Sequence, residues 1–290
     1  KAILFAVINI TMLLFMTYGI IRYAKLKQAD AWFLYPLALG FAPFLELLHV
    51  GQVNQFIEFC IFLMFIFAMQ APWLAGFGLG WAAMLKATPA VFLAYLFIAR
   101  KWKALATTAA TILFFTFLTW IRYGSVIFVN YVDAFRLLLG QFPDGLESHS
   151  LFAVINRLID IHEQAPLLQA GLNFYLILIL ASGVISHYIG RTDLFFVTLG
   201  MGIALTPNLL WYHHYVFLLL PLFVLMCWSG LHPRVVAWCL LGFIIIQLDR
   251  FHLTGGLLIH FFGHITILGL IGYQASLAQN LYKNKTQKIS

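Results

Sequence analysis

Charge is scarce in this sequence. Only 9% of its 290 residues are Asp, Glu, Lys or Arg, against 63% hydrophobic, where soluble domains carry about 25% charge. A chain so poor in polar side chains cannot cover a water-soluble globule of this size, and the alternating pattern of transmembrane strands is missing too. Cysteine is nearly absent as well. Cys60, Cys227 and Cys239 lie in apolar stretches without metal-ligand spacing, which predicts three inert core thiols. No His-Glu-x-x-His and no Asp-x-Asp occurs, so the simplest metal-binding signatures are excluded. His260 and His264, four apart on one helical face with His252 nearby, have acceptable geometry for two ligands. No carboxylate or cysteine pattern completes that set, and no metal is expected there. Signal peptide, long repeat and low-complexity tract are likewise missing, and only the tail 283–290 reads as disordered.

What is present is a series of long apolar runs. Each is close to the roughly 20 residues that a helix needs to cross hydrocarbon. The fold class expected is all-α: a polytopic helical membrane protein with about nine spans plus one re-entrant helical hairpin. The spans are predicted at 2–21, 31–47, 56–70, 104–121, 167–189, 194–210, 213–230, 235–249 and 257–277.

The hairpin is predicted from length and charge together. Residues 73–86 as a helix rise about 21 Å and residues 88–99 about 18 Å, so neither alone crosses a core of ~30 Å. Pro89 lacks an N–H and pushes Thr88 out of helical geometry, which places a break at Lys86-Ala87-Thr88-Pro89. Entry and exit on one side put Arg22, Lys25, Lys27, Arg100, Lys101, Lys103, Arg191, Arg234, Lys283, Lys285 and Lys288 on a common face. Only Arg122, Arg136, Arg157 and Arg250 fall on the other. The positive-inside rule makes the first face cytosolic, so the net charge of +7 reports topology rather than a nucleic-acid partner. A single kinked helix over 73–99 would scatter those basic loops.

Lys86 is the charge that matters most. It is the only charged residue between Glu58 and Arg100, and an ionisable group at membrane depth is by default functional. The hairpin topology gathers polar residues opposite the basic face: His49 to Asn54, the segment 122–166, and the corner from Thr206 to His214. Each also has a plain structural reading. Gln52 and Asn54 fit a tight turn, Trp211 to His214 fit an interfacial aromatic belt, and apolar patches in 122–166 fit short helices on the membrane surface.

A family resemblance rests on several segments in order. Gly51-Gln52-Val53-Asn54, Trp73 to Gly76, Leu85-Lys86-Ala87-Thr88-Pro89-Ala90 and Arg100-Lys101-Trp102 come first. Ser148-His149-Ser150-Leu151 with Arg157 follows, then Thr206-Pro207, Trp211-Tyr212-His213-His214 and Leu218-Leu219-Leu220-Pro221. Together they resemble the polyprenyl-phosphate-mannose-dependent mannosyltransferases of glycosyltransferase family 87, a GT-C fold. Ser148 and His149 stand where that family has Asn-Gln.

The resemblance implies a membrane hexosyltransferase, inverting and metal-independent, that moves mannose from a polyprenyl-phosphate donor to a lipid or glycan acceptor in glycolipid biosynthesis. It implies donor-phosphate contacts from Lys86, Thr88 and Arg157, and sugar or acceptor contacts from Gln52, Asn54, Ser150, Trp211, Tyr212 and His213. His214 is the expected catalytic auxiliary. The family's aspartate base falls upstream of Lys1, so this chain is expected to be the C-terminal part of a larger enzyme and inactive alone. Residues 1–282 then form the transmembrane domain, with 122–166 an extracytosolic loop and 283–290 a cytosolic basic tail. The location expected is the plasma (inner) membrane, with no cofactor and no nucleic-acid partner. The rival reading is a polytopic transporter or lipid flippase with its substrate site at the broken hairpin around Lys86.

Overall fold

The computed structural model describes residues 2–140, 149–159, 165–206, 210, 212–250 and 256–287. Among these every regular element is helical. α1 (Ala2–Tyr23) is followed by a broken segment of α2 (Gln28–Ala31), α3 (Leu34–Leu39) and α4 (Ala42–Val50), and then by α5 (Asn54–Phe67) and α6 (Pro72–Leu85). A 3-10 turn (Thr88–Val91) leads into α7 (Phe92–Ile98) and the long α8 (Trp102–Tyr123). α9 (Val126–Gly140), α10 (Leu151–Ile159), α11 (Ala165–Tyr188) and α12 (Thr192–Leu205) come next. A 3-10 helix (Tyr212–Leu218) runs directly into α13 (Leu219–Trp228), and α14 (Pro233–Asp249) and α15 (Leu257–Gln287) complete the bundle.

Length and composition make α1, α8, α11 and α15 long and apolar enough to cross a membrane, and five spans result if the bent pair α2–α3 and α4 counts as one. The protein is thus an integral membrane protein. The other predicted spans are shorter: α5 and α12 have 14 residues each, about 21 Å of rise, so full-length helices among the described residues do not confirm the expected count of about nine. The predicted span 31–47 is a correction. It bends by 44°, because Pro36, Gly40 and Pro43 interrupt the helical ladder. The broken backbone is repaired from a distant helix. The Gln247 amide of α14 donates to Gly40 O at 2.6 Å and accepts from Ala42 N–H at 2.9 Å, which is how irregular backbone is tolerated at membrane depth. The tail is a second correction. Helix α15 continues to Gln287, since Lys, Asn and Gln without Gly or Pro give the helix no reason to stop.

The hairpin is the element that positions the site. Helices α6 and α8 run parallel. A Cβ at Gly76 would lie 2.5 Å from Ala104 O, one at Gly80 would lie 2.6 Å from Thr111 Cβ, and Met84 meets Thr116. Residue numbers rise together along the contact, so α7 must return to the level where α6 began. Small residues permit this close approach, as in membrane helix pairs generally. Residues 72–99 therefore form a helical hairpin with its tip at Lys86.

Aromatic and basic residues converge at the opposite end from that tip. Tyr23 stacks on Trp228 at 5.1 Å, and Tyr23, Lys101, Thr192, Asp193 and Trp228 surround one depression. Arg191 binds Asp193 through two nitrogens, a hydrogen-bonded pairing that raises the Arg191 pKa. Arg191, His232, Arg234 and Tyr273 line an adjoining groove. Lys101, Arg191 and Arg234 of the predicted basic face thus lie at one end of the bundle. All three cysteines are buried and free.

Candidate functional site

A narrow cavity of about 50 Å³ lies under the hairpin tip. Four elements build it: Glu58 and Ile61 from α5, the tip around Lys86 and Pro89, α12 from Phe196 to Ala204, and the 3-10 helix with α13 through His214, Phe217, Leu220 and Pro221. Apart from Glu58, Lys86, Thr88 and His214, its wall is apolar, as small-molecule sites commonly are.

Lys86 owes its place to the end of α6. Its backbone is extended, with φ −152° and ψ 132°, so the side chain leaves the helical path and turns into the cavity. There Nζ stands 5.4 Å from the centre of the Phe217 ring, within the range of a cation–π contact. His214 reaches the same wall from the 3-10 helix, 8% exposed, with the His213 ring against it at 4.6 Å. Thr88 and Pro89 supply the turn. Three of the predicted residues, Lys86, Thr88 and His214, are therefore brought together.

Among the described residues, Gln52, Asn54, Ser150, Tyr212 and His213 are not part of the cavity lining. Gln52 is exposed in the turn after Gly51. That glycine has φ +71°, a left-handed conformation in which a side chain is disfavoured. Asn54 is buried at the start of α5, and its Nδ2 has no hydrogen-bond partner among the described residues. Tyr212 is 8% exposed and its hydroxyl donates to Ile246 O at 2.8 Å. Ser150 is buried, and its Oγ accepts from Ala153 N–H at 3.2 Å, the contact of a helix N-cap. Arg157 falls on α10, but its side chain lies outside the described residues, as do Trp211 and His252.

Sequence reasoning missed two carboxylates. Glu58 is 1% exposed, and its Oε1 accepts from Leu220 N–H at 3.0 Å. A lone acid within an apolar run was the available signal, the same one that singled out Lys86. Asp249 is wholly buried, with Oδ2 2.8 Å from His149 Nδ1 and Oδ1 accepting from Gly256 N–H at 2.8 Å. His260 Nε2 donates to His149 O at 2.7 Å and Tyr215 to the same oxygen at 3.3 Å. This second cluster ties α14 and α15 to the segment before α10. His264 pairs with Tyr175 at 3.0 Å, so the two histidines that were candidate ligands are engaged separately.

The cavity and the hairpin can be set beside known proteins. The family model for glycosyltransferase family 87 matches residues 1–210. The chain belongs to glycosyltransferase family 87. Glycosyl transfer at a membrane is its established class, and a sugar donor and an acceptor are the substrates that class requires. The matched region holds α1 through α12, including the whole hairpin and Glu58, while the 3-10 helix with His214 follows it. No curated protein and no solved structure matches the chain.

Proposed function

We propose that the protein transfers a hexose, with mannose the expected sugar, from a polyprenyl-phosphate donor to a lipid or glycan acceptor at the extracytosolic face of the plasma (inner) membrane. The observation that carries this reading is the meeting of the Lys86 ammonium, Thr88 and His214 on the wall of one apolar cavity. An isolated ammonium at membrane depth calls for an anion, and a donor drawn from the bilayer brings its own phosphate to an apolar site.

In the transfer, a bond forms between the acceptor oxygen and the anomeric carbon while the bond from that carbon to the phosphate oxygen breaks. The leaving phosphate keeps the electron pair, and the acceptor's proton passes to a carboxylate base. Attack from the face opposite the leaving group inverts the anomeric centre. Phosphate leaves readily, so the site must stabilise charge more than donate a proton. Lys86 supplies that charge and Thr88 an adjacent hydroxyl, while His214 hydrogen-bonds the phosphate or orients the acceptor. Gln52, Asn54, Ser150, Trp211, Tyr212 and His213 serve the sugar and acceptor, Arg157 adds to the phosphate contacts, and no metal or other cofactor takes part. The segment 122–166 then lies outside the cell and the basic end, with the tail 283–290, inside.

The test is transfer from polyprenyl-phosphate mannose by the full-length enzyme, comparing wild type with Lys86→Ala and Lys86→Arg at matched membrane expression. Loss of turnover in the alanine variant with partial return in the arginine variant is expected. Unchanged transfer in Lys86→Ala removes the phosphate role.

A further inference from the structure

Glu58 is the ionisable group on the cavity wall to which the phosphate reading gives no task. Its Oε1 is held by Leu220 N–H at 3.0 Å, while Oε2 is sealed from water and has no hydrogen-bond partner among the described residues. Folded proteins seldom leave a buried polar atom unpaired without a reason. One turn earlier on the same face of α5, Asn54 Nδ2 is also buried and has no partner among the described residues. Gln55, incompletely paired too, points its amide at Met16 of α1 and lines no part of the cavity.

The position of Glu58 relative to Lys86 follows from the helix that both touch. Leu220, which anchors Glu58, lies six residues past His214, about 10 Å of mostly 3-10 rise. Phe217, which carries the Lys86 ammonium on its face, stands midway. Glu58, Lys86 and His214 line the same cavity, so a group bound to Lys86 shares its wall with both.

We propose that Glu58, in its acid form, donates a hydrogen bond from Oε2 to the phosphoryl group held by Lys86, so that the site grips a phosphate ester between an ammonium and a carboxylic acid. A carboxylate has only acceptors and would repel a phosphate, whereas the acid carries one O–H donor. The inference rests on the phosphate reading above and adds a ligand that the sequence motifs do not contain.

The experiment uses farnesyl phosphate as the probe and inorganic phosphate as the control, with the full-length protein in detergent. Infrared difference spectra on adding the probe should show the carbonyl stretch of a protonated carboxyl moving to lower frequency, and that band should be missing in Glu58→Gln. In transfer assays Glu58→Gln, which keeps an N–H donor at the Oε2 position and an acceptor for Leu220, should stay within about threefold of wild type. Glu58→Met should raise the donor KM at least tenfold with a smaller effect on kcat. If farnesyl phosphate binds in a Lys86-dependent way but the carboxyl band does not move, the Glu58 inference is overturned and the phosphate reading stands. Abolished transfer in Glu58→Gln overturns it as well, because the charge rather than the donor would then be at work. Binding that is independent of Lys86 overturns both. The same band shift with inorganic phosphate alone would identify a free-phosphate site rather than a lipid-phosphate one, and would overturn the assignment to the donor. The spectroscopic arm uses the wild-type protein, so poor folding of Glu58→Met leaves the outcome decided.

Discussion

At the scale of single residues, the fold buries two kinds of charge and treats them differently. The Lys86 ammonium faces a cavity across an aromatic ring, whereas Asp249 is enclosed with His149 and a backbone N–H. Removing one partner of a desolvated charge contact costs about 2–5 kcal/mol. Lys86→Ala should therefore lower kcat/KM for the lipid donor by at least ~30-fold without changing the melting temperature in detergent, because its loss leaves no buried group stranded. Asp249→Ala should do the reverse. It leaves the His149 ring and Gly256 N–H without their carboxylate, and breaking such a buried pair destabilises by about 3–5 kcal/mol. A large fall in thermal stability is expected, and a variant that melts like wild type would mean that the cluster does not hold α14 to the segment before α10. The difference in legibility between these residues is physical. Lys86 announces itself because a lone cation in an apolar run has one local meaning. The Glu58 to Leu220 and Asp249 to His149 contacts join residues 162 and 100 apart in sequence, and no periodicity encodes which helices will face each other.

At the scale of elements, the hairpin was readable from its pieces: two helices too short to cross, with a proline between them. Its partner was not. The docking of α6 along α8 depends on Gly76 and Gly80 meeting Ala104, Thr107 and Thr111, a small-residue seam visible only once the two helices are known to run in parallel. A methyl group at Gly76 would fall 2.5 Å from both Ala104 O and Thr107 Cβ, and the contacts are to a helix backbone that cannot yield locally. Gly76→Ala is expected to cost about 1–3 kcal/mol and to shift the hairpin tip, lowering transfer together with stability. Gly171→Ala on α11 is the matched control. Its Cβ meets nothing within 4 Å, so the helix should gain up to about 1 kcal/mol. Equal melting temperatures for the two variants would refute the seam. The broken segment of α3 and α4 shows the limit of reading spans by hydropathy. A run of apolar residues at 31–47 has the composition of a span, but its prolines and Gly40 decide its path, and a side chain from α14 completes it.

At the scale of the molecule, the question is which end of the bundle faces the cytosol. Arg191, His232 and Arg234 gather near Tyr273 at one end, and Gln52, Asn54 and Lys86 belong to the other. Because the K/R bias of short loops sets orientation, the first end should be cytosolic and the cavity should open toward the outside. Labelling with a membrane-impermeant maleimide decides this. Cys60, Cys227 and Cys239 are all buried, so the native thiols should give little background. Gln52 and His232 are both exposed and lie at opposite ends, which makes them a pair of reporters. Gln52→Cys should react in intact cells and His232→Cys only after the membrane is opened. The opposite pattern would place the cavity in the cytosol, where a donor presented on the outer leaflet cannot reach it, and the proposed site of transfer would be overturned even though Lys86, Thr88 and His214 remain neighbours. Reaction of both in intact cells would instead mean that the hairpin does not return α7 to the side from which α6 departs.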